Sequence, residues 1–119
     1  TGDAITTGNQ NIAIGYRSLS ANQTGGENIA IGIDSQKVST ASNNTSVGYD
    51  TLKANTTGTR NVAIGATALD ANTTASDNVA IGYAAGGAIT TGAENIIVGN
   101  FAMMLTKQVI ITLQWVMVH

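Results

Sequence analysis

Few residues of this 119-residue chain could do chemistry, and they are poorly spaced for it. His119 is the single histidine, and there is no cysteine. A metal centre, or a nucleophile with its base, needs partner ligands or a second ionisable group at fixed spacing, so a lone terminal His supplies neither. The carboxylates Asp3, Glu27, Asp34, Asp50, Asp70, Asp77 and Glu94 do not recur at the spacing of a calcium loop. Glu27, Asp77 and Glu94 alternate with Gln10, Asn43 and Arg60 at one recurring place, as expected of solvated turn positions. The pairs Gly25-Gly26 and Gly86-Gly87 lack the lysine and spacing of a phosphate loop. The residues therefore predict no catalytic, cofactor-binding or metal site, and a protein that is not an enzyme.

What recurs instead is a pentapeptide, Asn-x-Ala/Ser-Ile/Val-Gly. It runs Asn11 to Gly15, Asn28 to Gly32, Asn44 to Gly48, Asn61 to Gly65 and Asn78 to Gly82, with Asn95 to Gly99 departing only at its third residue. Successive asparagines lie 17, 16, 17, 17 and 17 residues apart. A unit this short, repeated in register, predicts a solenoid or fibre.

Counted from the asparagine as zero, the +1 residues are Ile12, Ile29, Thr45, Val62, Val79 and Ile96, and the +3 residues Ile14, Ile31, Val47, Ile64, Ile81 and Val98. They are all β-branched and lie two apart, so they share one face of a strand. The +3 column is read as the core. Ala13, Ala30, Ser46, Ala63 and Ala80 point the other way, followed by Gly15, Gly32, Gly48, Gly65, Gly82 and Gly99. So flat a face predicts close approach by another backbone, met most simply by a parallel trimer, although a lone solenoid satisfies the pattern too. A second apolar column at +8 holds Leu19, Leu52, Leu69 and Met103, with Gln36 and Gly86 as exceptions. Asn55 to Gly58 and its variants Asn72 to Ala75 and Ile89 to Gly92 are turn chemistry. Each unit thus reads as strand, bend, short strand and turn. Stacking places Asn11, Asn28, Asn44, Asn61, Asn78 and Asn95 in a structural ladder at the inter-strand spacing of about 4.8 Å.

Composition agrees with a scaffold. Charged residues make up 10% and aromatics 4%, so large side chains are too scarce for a thick core. Five Lys and Arg against seven Asp and Glu, scattered singly, leave no basic stripe for nucleic acid. No run approaches the roughly 18 apolar residues of a membrane span, so direct membrane insertion is not expected. Without an initiator methionine or signal stretch, the chain reads as a fragment.

Asn-Ile-Ala-Ile-Gly-Tyr at Asn11 to Tyr16 and Asn-Val-Ala-Ile-Gly at Asn61 to Gly65 resemble the YadA-like head repeats of trimeric autotransporter adhesins, and related arrays in bacteriophage and bacterial tail-fibre proteins. The resemblance covers about residues 4 to 102. It implies an all-β, left-handed parallel β-roll or β-solenoid of about six 17-residue coils, assembled as a parallel homotrimer and displayed outside the cell on a bacterial surface or virion tail. Its function would be surface attachment or host recognition, with a protein or glycan receptor that these residues do not identify. The unit is longer than the commonest adhesin head unit, which shifts weight toward a fibre shaft. The alternative is an ice-binding solenoid, in which Thr6-Thr7, Thr56-Thr57, Thr73-Thr74 and Thr90-Thr91 stack into an array; Gln23-Thr24 and the 16-residue spacing before Asn44 interrupt it.

The repeat domain is placed at 1–102 and a non-repeat tail at 103–119. Beyond Met103 there is no Gly or Asn, and Thr112 and Val116 stand where the next motif Asn and Gly belong. Back-translation of Ile110 to Val116 as ATA-ATA-ACA-TTG-CAA-TGG-GTT gives, from the third base, Asn-Asn-Ile-Ala-Met-Gly. A frameshifted seventh repeat is the expectation, in which case Trp115 and His119 carry no evolved function; a native C-terminal cap is the other reading.

Overall fold

The computed structural model describes residues 1–103; the tail beyond Met103, with the frameshift expectation, lies outside the described residues. The chain is all-β. Among the described residues six strands of three residues each form one parallel sheet in chain order: β1 (Ile12–Ile14), β2 (Ile29–Ile31), β3 (Thr45–Val47), β4 (Val62–Ile64), β5 (Val79–Ile81) and β6 (Ile96–Val98). Equivalent residues pair without slippage, from Ile12 on Ile29 through to Ile81 on Val98. Parallel neighbours joined by a full turn of chain make a β-solenoid, each repeat supplying one coil.

The strands are short because the backbone turns left-handed around them. The motif glycines have φ from 120 to 136°, and the residues at −1, +6 and +8 are also left-handed, among them Arg60 (56°), Thr67 (58°) and Leu69 (50°). An extended segment cannot pass through these positions. The second short strand expected at the +8 column is therefore not formed. Leu19, Leu52 and Leu69 lie on turns whose N–H groups still bond to the following coil, as Leu19 does to the Ser35 carbonyl at 3.2 Å.

The expected core is reversed within the single chain. Ile14 (57% exposed), Ile64 (38%), Ile81 (39%) and Val98 (68%) face outward, with Ile31 and Val47 half-buried. The buried strand residues are Ala30, Ser46, Ala63, Ala80 and Ile97. Size is the reason. The interior is narrow, and its opposite wall already holds Leu19, Leu52 and Leu69, all fully buried. Only a small side chain fits at +2 opposite a leucine, so the β-branched residues on either side point out. Ala and Ser thus face the interior of their own coil rather than another chain. The same holds for the motif glycines: a Cβ on Gly15 would stand 2.6 Å from the Gly32 carbonyl carbon, so the close approach they permit is between successive coils.

Two breaks in the pattern compensate each other. Gly86 leaves the +8 column without a side chain, and Ile97 of the following coil, the one large residue at +2, fills that space alongside Ile89. Gln36, the polar residue in the same column, meets Ser46 at +2 of the following coil through Nε2, at 2.9 Å.

Candidate interaction surface

The asparagine ladder positions everything else. Each motif side chain from Asn28 to Asn95 is fully buried, and the Oδ1 of one accepts the backbone N–H of the next at 3.0 Å: Asn11 from Asn28, Asn28 from Asn44, Asn44 from Asn61, Asn61 from Asn78 and Asn78 from Asn95. Its Nδ2 donates to a turn carbonyl, such as Gly25, Ala41, Gly58, Ala75 or Gly92, at 2.8 to 2.9 Å. Amide-to-amide bonds join some rungs, from Asn95 Nδ2 to Asn78 Oδ1 at 2.9 Å for example. Asparagine is required because it alone offers both an acceptor and donors at this length. A second column of Asn22, Asn55 and Asn72 closes the turns the same way, in the segments whose composition reads as turn chemistry. It ends at Ile89, which cannot donate, so Asn72 Oδ1 is buried without a partner.

With the ladder inside and the glycines stacked, the +1 and +3 columns are presented on the outer face of the sheet, and the +5 column follows on the turn beyond the glycines. The +5 residues are Tyr16, Ile33, Tyr49, Ala66, Tyr83 and Asn100. Of the twelve exposed large apolar side chains among the described residues, ten lie in these three columns, so the exposure is one continuous strip and not scattered residues. The strip is about 24 Å tall at the usual inter-strand spacing. None of its eighteen positions is charged.

The charges sit at its margins and lock coil to coil. Arg17 grips Asp34 of the next coil with Nε and Nη2 at 2.7 and 2.6 Å while its guanidinium lies 4.8 Å from the Tyr16 ring centre. Arg60 grips Asp77 likewise, at 2.6 and 3.1 Å. These hydrogen bonds hold the Asp34 and Asp77 carboxyls below their usual range and raise the two arginines. Lys53, raised by its 2.9 Å hydrogen bond to Asp50, lies near Asp70, whose carboxyl is pushed up chiefly by burial. Among the described residues no three His, Cys, Asp or Glu side chains converge as a metal site would need, and no helix is long and apolar enough to cross a membrane.

The threonine columns are partly committed to the fold. The hydroxyls of Thr6, Thr40, Thr56 and Thr73 donate to carbonyls of the following coil, at 3.0 to 3.2 Å. No protein-family model, no curated protein and no solved structure matches the chain.

Proposed function

We propose that this chain is a rigid segment of a homotrimeric fibre, an adhesin head or tail-fibre shaft acting outside the cell in surface attachment or host recognition. The observation that carries the reading is the uncharged Ile/Val/Tyr strip along the outer face of the sheet. Monomers rarely leave contiguous apolar patches beyond a few hundred Å² in water, and larger ones mark association surfaces. The partner chain meets the Ile/Val face, since the Ala/Ser face is occupied within each coil. A three-fold arrangement puts the +3 column on the axis and packs the +1 column of each copy against the +5 column of the next. Three copies instead of two, and the left-handed coil, come from the resemblance to the YadA-like heads. Self-association then builds the rod, and the receptor, protein or glycan, is met by the remaining surface.

Equilibrium sedimentation of the 119-residue chain tests this. The expected mass is three times the monomer, and Ile31→Lys with Ile64→Lys should lower it to one copy while the β-sheet circular dichroism persists. A stable monomer in the unaltered chain overturns the reading. An ice-binding solenoid draws less support, because Thr56 and Thr73 of the expected array spend their hydroxyl donors on carbonyls of the following coil. Thermal hysteresis at micromolar protein would reverse that preference.

A further inference from the structure

One position in the +1 and +3 columns breaks their chemistry. Thr45 is the only hydroxyl in the +1 column and the only polar residue in the +1 and +3 columns together. It sits in β3 between Ile29 and Val62, half-buried even in the single chain, with its backbone N–H bonded to the Asn61 carbonyl at 2.8 Å. Its hydroxyl has no hydrogen-bond partner among the described residues. Beyond the Gly48 turn of the same coil stands Tyr49, 54% exposed, whose phenol is likewise without one among the described residues. The coils on either side carry no hydroxyl at the equivalent positions: Ile29, Ile31 and Ile33 below, Val62, Ile64 and Ala66 above.

We propose that Thr45 sets the axial register in which copies of this chain associate. The inference rests on the oligomeric reading above and adds to it the partner's alignment. When copies associate in parallel and in register, the hydroxyls of Thr45 and Tyr49 from every copy lie on one level, and each finds a hydroxyl of another copy. A slip of one coil sets that level against Ile29, Ile31 and Ile33 or against Val62, Ile64 and Ala66. Both hydroxyls are then buried against aliphatic carbon with nothing to bond, a penalty that outweighs any improvement in apolar packing. The other residues of the +1 and +3 columns give little discrimination, because Ile and Val there pack about equally well on Ile or Val one coil away; Tyr16, Tyr49 and Tyr83 on alternate coils of the +5 column act in the same sense as Thr45 against a one-coil slip. Thr45 is the one polar residue of the +1 and +3 columns, and an isolated polar residue at an apolar seam position plays the same part in coiled coils, where it selects register at a cost in stability.

The experiment introduces single cysteines into the full chain, which has none of its own. Ile64→Cys and Ile81→Cys chains are mixed, one of them mass-tagged, and oxidised. Neighbouring coils are about 4.8 Å apart, so a disulfide that forms at one level is out of reach one coil away. With Thr45 present, same-level products, in which each variant is cross-linked to another copy of itself, should dominate by at least tenfold. The off-level product joins an Ile64→Cys chain to an Ile81→Cys chain. In the Thr45→Val background, which restores the residue type of Val62 and Val79, that mixed product should rise to a comparable yield while sedimentation still shows the oligomer. Off-level yield unchanged by Thr45→Val, or already equal to the same-level yield with Thr45 present, overturns the register role and leaves the oligomer standing. A monomer in sedimentation overturns both.

Discussion

Ile97 occupies the space that a side chain at Gly86 would need: a Cβ built on Gly86 stands 3.1 Å from Ile97 Cδ1 and 2.8 Å from Leu69 Cδ2. The +8 residue of one coil and the +2 residue of the next therefore share one volume. Leu with Ala, Gly with Ile, and Gln with Ser are three ways of filling it. Ile97→Ala should cost about 3 kcal/mol, because the cavity beside Gly86 has nothing to collapse into it. Gly86→Leu alone should be as damaging, through overpacking and a φ of 67° that a leucine adopts only at some cost. The double variant recreates the Leu and Ala arrangement of the other coils and should recover most of the loss, read as a coupling energy by urea denaturation.

Removing one rung of the ladder should hurt most in the middle of the stack. Asn61→Ala deprives the Asn78 N–H of its acceptor, Ala75 O of a donor, and Asn44 Oδ1 of its side-chain donor, all inside the protein. A loss of roughly 3 kcal/mol is expected. Asn11→Ala, at a half-buried terminal rung, should cost about 1 kcal/mol by the same measurement.

Thr67 is β-branched at φ 58°, while Asp34 and Asp50 fill the equivalent place in other coils. Asparagine accepts left-handed backbone far more readily. Thr67→Asn should stabilise by about 1 kcal/mol with the Tyr49 carbonyl bond to its N–H retained, seen as a rise in Tm.

Acid should act in two opposite phases. Burial raises the Asp70 carboxyl in the folded state, so folding binds that proton more tightly; stability rises as pH falls from neutrality through its raised value toward the ordinary carboxylate range. Hydrogen bonds from Arg17 and Arg60 lower Asp34 and Asp77, so their contribution is present above that range and is lost as pH falls through their lowered values. Thermal melts from neutral pH down to strong acid should show Asp70→Asn abolishing the first rise. Asp34→Asn should flatten part of the final fall.

The sheet and its register were legible because the Asn and Gly columns recur at nearly constant spacing, and parallel stacking is the way such a unit covers itself. Which face was inside was not, because a period of two marks two faces without saying which is greasier in context. Ile and Ala alternate, and the usual reading buries Ile. Only the leucines at +8, held inward by a left-handed bend with no sequence signature at Thr67 or Arg17, make the interior too narrow for it. The departures at Gly86 and Ile97 were each visible, but nothing in the linear order joins residues eleven positions apart as neighbours.

The short second coil has a consequence for how such a rod measures itself. Asn28 and Asn44 are one residue closer than other successive motif asparagines, yet β2 and β3 pair without slippage and Asn28 Oδ1 still takes the Asn44 N–H at 3.0 Å. The missing residue is absorbed where Thr40 alone stands for the Thr56-Thr57 pair. Length is thus counted in strands and not in residues: turns tolerate drift, while every whole coil added or removed moves whatever the rod carries by one inter-strand step of about 4.8 Å. A gene that duplicates this unit is a ruler with that graduation.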